Sequence, residues 1–203
     1  MRRSVKRLLR LALYPFALAS MHLLPPLRRA WWHALLRARI CWTLPADLIL
    51  LSDVEVHGSG DIQIGGNGYF FPGTYLETQG SGRIRIGRGV VLSRGVHIVA
   101  FDLVEIGDGT MIGEYSSIRD ANHHRENNVS LRMATHTARP IRIGKEVWIG
   151  RGCAVLGGVS IGDYATAGAN SVITHDIPSG ETHAGVPARR LVGRVREDLH
   201  AAV

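Results

Sequence analysis

Aliphatic residues fall six apart in the last third of the chain, at Ile143, Ile149, Val155, Ile161, Ala167 and Ile173. Glycine follows four of them, as Gly144, Gly150, Gly162 and Gly168. Neither the 3.6-residue period of an amphipathic helix nor the alternation of a half-buried strand gives that spacing. A parallel β-helix does, because each coil stacks short strands on those of the coil before it and its inward side chains form continuous ladders. The same beat runs upstream with interruptions, through Ile64, Phe70, Leu76, then Ile86, Leu92, Ile98, then Ile106, Ile112, Ile118. Three hexads close one coil of about 18 residues with a triangular cross-section, so five triplets predict about five coils. Successive triplets start 22, 20, 37 and 18 residues apart. Small excesses are bulging corners. The large one, between Ile118 and Ile143, predicts a long loop over 119–140 extruded from the solenoid, and long loops on rigid scaffolds carry function.

Before Asp47 the hydrophobic pattern changes character. The chain there predicts two amphipathic helical segments, one from about Arg2 to Tyr14 broken by Pro15, and a second after Pro25 and Pro26 carrying Trp31, Trp32, Leu35 and Leu36. The expected organisation is a helical arm over 1–45, a β-helix domain over 46–190, and a tail over 191–203 that holds Arg194 and Arg196.

Charge sharpens that division. The formal net charge is +7, yet all nine basic residues before Asp47 stand without one acidic residue among them, leaving 15 basic against 17 acidic in the rest. The basicity belongs to the arm, which argues against nucleic-acid binding by the body. The apolar run from Leu11 to Leu24 is too short to span a bilayer. Basic residues beside Leu and Trp suit a helix lying in the headgroup layer, giving a cytoplasmic protein held peripherally at the inner face of the membrane. Two alternatives stay open. The arm caps the end of the solenoid, as every solenoid requires, or Ala17-Leu18-Ala19 is a signal-peptidase site after an apolar stretch. Cys41 and Cys153 lie too far apart in sequence to suggest a disulfide framework, and Cys153, inside a hexad, reads as a packing residue.

From about Ile84 to Leu191 the sequence resembles the hexapeptide-repeat acyltransferases, and within them the sugar and polysaccharide O-acetyltransferases, near the maltose and xenobiotic acetyltransferases. The resemblance is carried by Ile143-Gly-Lys-Glu-Val-Trp-Ile-Gly150, Gly158-Val-Ser-Ile-Gly162, Ala169-Asn-Ser-Val-Ile-Thr174, Asp176-Ile-Pro178 and Ala184-Gly-Val-Pro-Ala-Arg189. It implies an all-β fold, a left-handed parallel β-helix of about five coils with one extruded loop behind the helical arm. It also implies a homotrimer, with acetyl-CoA as co-substrate in the groove between neighbouring solenoids and no metal.

The site residues follow from the same resemblance. His123, at the start of the extruded loop, aligns with the family's catalytic base, with His124 beside it and Asp120 placed to orient it or to cap a turn. An imidazole is neutral and basic near pH 7, and a thioester is already activated, so one base suffices for direct transfer to a hydroxyl in a ternary complex. Trp148, Arg151, Ala169, Thr174, His175 and Arg189 match the donor groove. Ser93 stands where sugar-acetylating relatives often carry Asn, a departure that bears on the acceptor, and His124 is the other candidate acceptor contact. Other functions remain open at this point. They are acetylation of serine or a xenobiotic, a zinc lyase of the γ-carbonic-anhydrase type drawing on His97, His123, His124 and His136, and a non-catalytic scaffold.

Overall fold

The computed structural model describes residues 2–124, 130 and 132–192. The tail beyond 192, with Arg194 and Arg196, and loop residues 125–129 and 131 lie outside the described residues.

Every member of the five predicted triplets is buried, because each sits where a short strand turns its side chain into the prism. Three parallel sheets form the walls. Among the described residues the first runs through Ile49–Leu50, Tyr69–Phe70, Val91–Leu92, Met111–Ile112, Trp148–Ile149, Thr166–Ala167 and Thr182–Ala184, and ends on the antiparallel Arg189–Arg190. The second stacks Glu55–Gly58, Tyr75–Thr78, His97–Ala100, Ser117–Arg119, Ala154–Leu156 and Val172–Ile173. The third stacks Ile62–Ile64, Arg83–Ile86, Leu103–Ile106, Ile141–Ile143 and Ser160–Ile161. The chain is therefore a parallel β-helix, and it matches the left-handed form that the resemblance implies. It has one coil more than the five triplets predict, because Leu50 and Val56 open a first coil whose third strand, Ile62–Ile64, carries Ile64.

Between the ladders, small residues two positions earlier fill the corners. Some are polar, and all are satisfied. The Thr110 hydroxyl donates to the Gly144 carbonyl (2.8 Å) and accepts from the Val147 amide, while that of Ser116 donates to the Gly150 carbonyl (2.9 Å) and accepts from the Cys153 amide. These bonds stitch together the two coils between which the loop is extruded, and an unpaired hydroxyl at either place would cost about 1–3 kcal/mol.

The arm is one α-helix, α1 (Arg2–Arg39), rather than two segments, and it takes Pro15, Pro25 and Pro26 into its interior. Proline fixes φ near the helical value, so what is lost is confined to the hydrogen bonds and space at each ring. The end of α1 meets the body: Leu36 and the following Ile40 are buried in the core and Trp32 packs against it, covering the first coil. No helix among the described residues is long and apolar enough to cross a membrane.

Candidate active site

The extruded segment begins as an antiparallel hairpin in which Ala121–His123 pairs with His136–Ala138 and His123 stands opposite His136. Hairpin partners project on the same side, and the two imidazoles lie 4.2 Å apart between centroids, tilted by 43°. His136 in turn stacks on Phe101 at 4.5 Å. The His123 ring is thus exposed on one side and braced on the other. His124 is exposed, and its backbone donates to the Thr135 carbonyl (2.8 Å) to extend the hairpin.

Asp120 is 1% exposed. Its carboxylate accepts the backbone N–H groups of Phe101 (2.8 Å), Asp102 (2.8 Å) and Leu103 (2.9 Å), the turn from which Phe101 reaches His136. It holds the turn beneath the histidine pair.

A second feature lies where the chain passes from the first sheet into the second. Ser93, Trp148, Arg151 and Ala169 line one cleft of about 430 Å³, with Met111 beside Trp148 and backbone at Gly113, Gly150 and Gly168 forming its floor. Trp148 is in register between Met111 and Thr166 on the outer face of the first sheet, and its indole is exposed. The corner glycines let successive coils come close: a Cβ on Gly150 would fall 2.6 Å from the Ala169 amide nitrogen. The Arg151 carbonyl accepts from the Asn170 N–H (2.8 Å), fixing the corner in place.

The remaining predicted donor residues lie elsewhere. Thr174 and His175 follow Val172–Ile173 on the far edge of the second sheet, hydrogen-bonded to each other through Thr174 Oγ1 and His175 Nδ1 (2.8 Å). Arg189 is exposed on the last antiparallel strand, opposite Ala184. His123 also leaves the second sheet at that far edge, so one chain does not bring its imidazole to the Ser93–Trp148 cleft.

Phe101 is not singled out by sequence, and His136 is named there only as a candidate zinc ligand; the signal for its place beside His123 is that it precedes the return to the solenoid by as few residues as His123 follows the departure. A polar column on the outer face of the second sheet was also missed. There Tyr75 stacks on His97 at 3.9 Å, and Glu77 accepts from Gln79 and Tyr75. The Glu77 hydrogen bond pushes the Tyr75 phenol up to about 12. Burial, helped by Arg119, pushes His97 down. Burial also raises the Cys153 thiol, whose sulfur faces the Gly168 carbonyl at 3.1 Å, as suits a packing residue. Among the described residues no three His, Cys, Asp or Glu side chains group as metal ligands.

The bacterial transferase hexapeptide (six repeats) family matches residues 140–175. WbbJ of Escherichia coli, described provisionally as a lipopolysaccharide biosynthesis O-acetyl transferase, is 34% identical over 142 residues, covering 66% of this chain and 72% of that protein. Galactoside O-acetyltransferase of Escherichia coli is 36% identical over 128 residues, 62% of this chain and 61% of that enzyme. Among solved structures, a variant of AntD, an N-acyltransferase from Bacillus cereus in complex with dTDP-4-amino-4,6-dideoxyglucose and coenzyme A, superposes with a TM-score of 0.67. That likeness covers 82% of this chain and 91% of AntD at 17% identity, a likeness of fold.

Proposed function

This chain belongs to the hexapeptide-repeat acyltransferases, and from that membership we propose that it moves the acetyl group of acetyl-CoA to a hydroxyl of a sugar or polysaccharide precursor. The observation that carries the reading is the shared cleft: Ser93, expected at the acceptor, and Trp148, Arg151 and Ala169, expected at the donor, line one cavity. The names of WbbJ and galactoside O-acetyltransferase point to O-acetylation of a saccharide.

In this reading His123 is the general base. Its imidazole takes the proton as the acceptor oxygen attacks the thioester carbonyl, and returns it to the departing CoA thiolate when the tetrahedral adduct collapses. Backbone N–H groups at a corner of the solenoid hold the developing oxyanion. His136 and Phe101 brace the base, and Asp120 acts through the 101–103 turn. Arg189, on the last strand of the first sheet, and the Thr174–His175 pair, at the far edge of the second, face the CoA phosphates, Arg189 with a permanent charge. His124 lies beside the acceptor.

The working unit is a homotrimer, in which the His123 edge of one copy meets the Ser93–Trp148 cleft of the next. The separation of these features on one chain supports that arrangement. The enzyme is cytoplasmic, with the basic arm at the inner face of the membrane. No metal enters this chemistry.

His123→Ala tests the assignment. Acetyl-CoA should raise the melting temperature of wild type and variant alike, while release of CoA thiol in the presence of a panel of glycan acceptors falls by about 10²–10⁴-fold in the variant. Undiminished turnover would remove His123 from the chemistry.

A further inference from the structure

Arg10 and Arg28 bracket 17 residues without a formal charge, from Leu11 to Leu27, all within α1. Leu11, Leu13, Phe16, Met21, Leu27 and Trp31 project from this stretch and its end, between 56% (Leu13) and 73% (Phe16) exposed. At the pitch of an α-helix Leu13, Phe16, Leu27 and Trp31 fall within about 60° of one another around the axis, a face that can lie along an apolar boundary. At 1.5 Å per residue the uncharged stretch is about 25 Å long, short of the roughly 30 Å hydrocarbon core of a bilayer.

The cations sit where a bilayer surface would hold them. Lys6, Arg7 and Arg10 are exposed at one end of the apolar stretch and Arg28 and Arg29 at the other. No acidic residue precedes Asp47, so nothing on the arm offsets them. The Arg28 guanidinium lies 4.8 Å over the Trp32 ring, a basic–aromatic pairing of the kind that settles at the boundary of water and hydrocarbon. Arg28, Arg29 and Trp32 also line a cleft of about 150 Å³ between α1 and Leu51 of the first coil, placing two guanidinium groups where a lipid phosphate would reach them.

We infer that α1 is divided in function: residues 6–31 lie in the plane of an anionic bilayer surface, apolar side chains in the acyl boundary and cations at the phosphates, while Trp32, Leu36 and Ile40 cap the solenoid. This takes up the membrane contact of the reading above, and does not depend on acetyl transfer. The first coil then faces the lipid. An acceptor carried on a lipid is presented to the enzyme by the same surface that holds it.

The test is flotation of the full chain with phosphatidylcholine vesicles, alone or with a quarter phosphatidylglycerol, beside a double variant carrying Leu13→Asp and Phe16→Asp. Both positions stand away from the solenoid, so the fold is preserved, and the acetyl-CoA thermal shift reports that separately. Wild type should float with the anionic vesicles, less so in high salt and least with phosphatidylcholine alone. The double variant should partition roughly a hundredfold more weakly while keeping its acetyl-CoA shift. Wild type left at the bottom of the gradient, or a double variant that floats equally well, overturns the inference. So does a wild type that ignores vesicles while the variant sediments as a smaller species in lipid-free buffer, which would assign these residues to a second copy of the chain. Loss of the acetyl-CoA shift in wild type would count against the acetyltransferase reading alone.

Discussion

The carboxylate of Asp120 gathers three amides of the 101–103 turn, Phe101 stacks from that turn onto His136, and His136 touches His123. The position of Asp120 three residues before His123 left it either to orient the histidine or to cap a turn, and its carboxylate caps the 101–103 turn. Its route through a neighbouring coil depends on which way the side chain points, and sequence spacing does not carry that. His97 offers a measurement at the same scale. Burial, with Arg119 nearby, holds its imidazole below the usual 6.5 against the pull of Glu77 and Glu55, and Tyr75 covers one ring face. The unfolded chain therefore takes the proton first. Stability is full above about pH 6.5 and falls as pH drops below that value. Glu77 and Asp61 are both desolvated by burial, yet hydrogen bonds hold each carboxyl below its ordinary value, so they give up stability only in more acid solution. His97→Gln should flatten the change in melting temperature between roughly pH 7.5 and 5.5. An unchanged slope would place the titrating group elsewhere.

At the scale of elements, the first coil is where the hexad count fell short. Leu50 and Val56 keep the beat, but the next ladder residue, Ile64, comes eight positions on, so the triplet pattern begins too late. The slip is absorbed at Gly58, which has φ +84° and lies so close to the coil above that a Cβ would meet the Thr78 carbonyl oxygen at 1.6 Å. Gly58→Ala should cost about 2–4 kcal/mol. Because each coil of a solenoid leans chiefly on its neighbours, the loss should appear in hydrogen exchange as weakened protection over residues 49–64 with the later coils intact. Full protection there would mean that the coil tolerates a wider spacing. The arm shows the opposite kind of miss. Proline pointed to a break after Tyr14, yet the helix continues through Pro15, Pro25 and Pro26.

For the whole molecule, the decisive fact is that the histidine pair and the Ser93–Trp148 cleft occupy opposite edges of the second sheet. If neighbouring copies complete each other's sites, two defective chains can repair one another. His123→Ala and a cleft-filling Ala169→Trp should each be nearly inactive alone. Co-expressed, they should regain CoA release with any glycan that wild type acetylates, because some interfaces pair an intact His123 with an intact cleft. No recovery in mixed oligomers would mean that each site is built within one chain.

The sequence by itself determined the solenoid, since a six-residue beat admits one way of burying its aliphatics, and with it the ladders, the place of the extruded segment and the divided charge of the chain. Trp148, Arg151 and Ala169 were named for the donor groove, and Ser93 for the acceptor, through the family resemblance, and the coils' repeat then stacks their positions into one cleft. Tertiary structure alone decided the Phe101–His136–His123 contact, the inward turn of Asp120 and the separation of His123 from the cleft. Those depend on side-chain direction and on contacts between segments whose spacing follows no repeat. It also decided how the arm is divided: only packing against the first coil distinguishes Leu36, which is buried, from Leu27, which is left to find another partner.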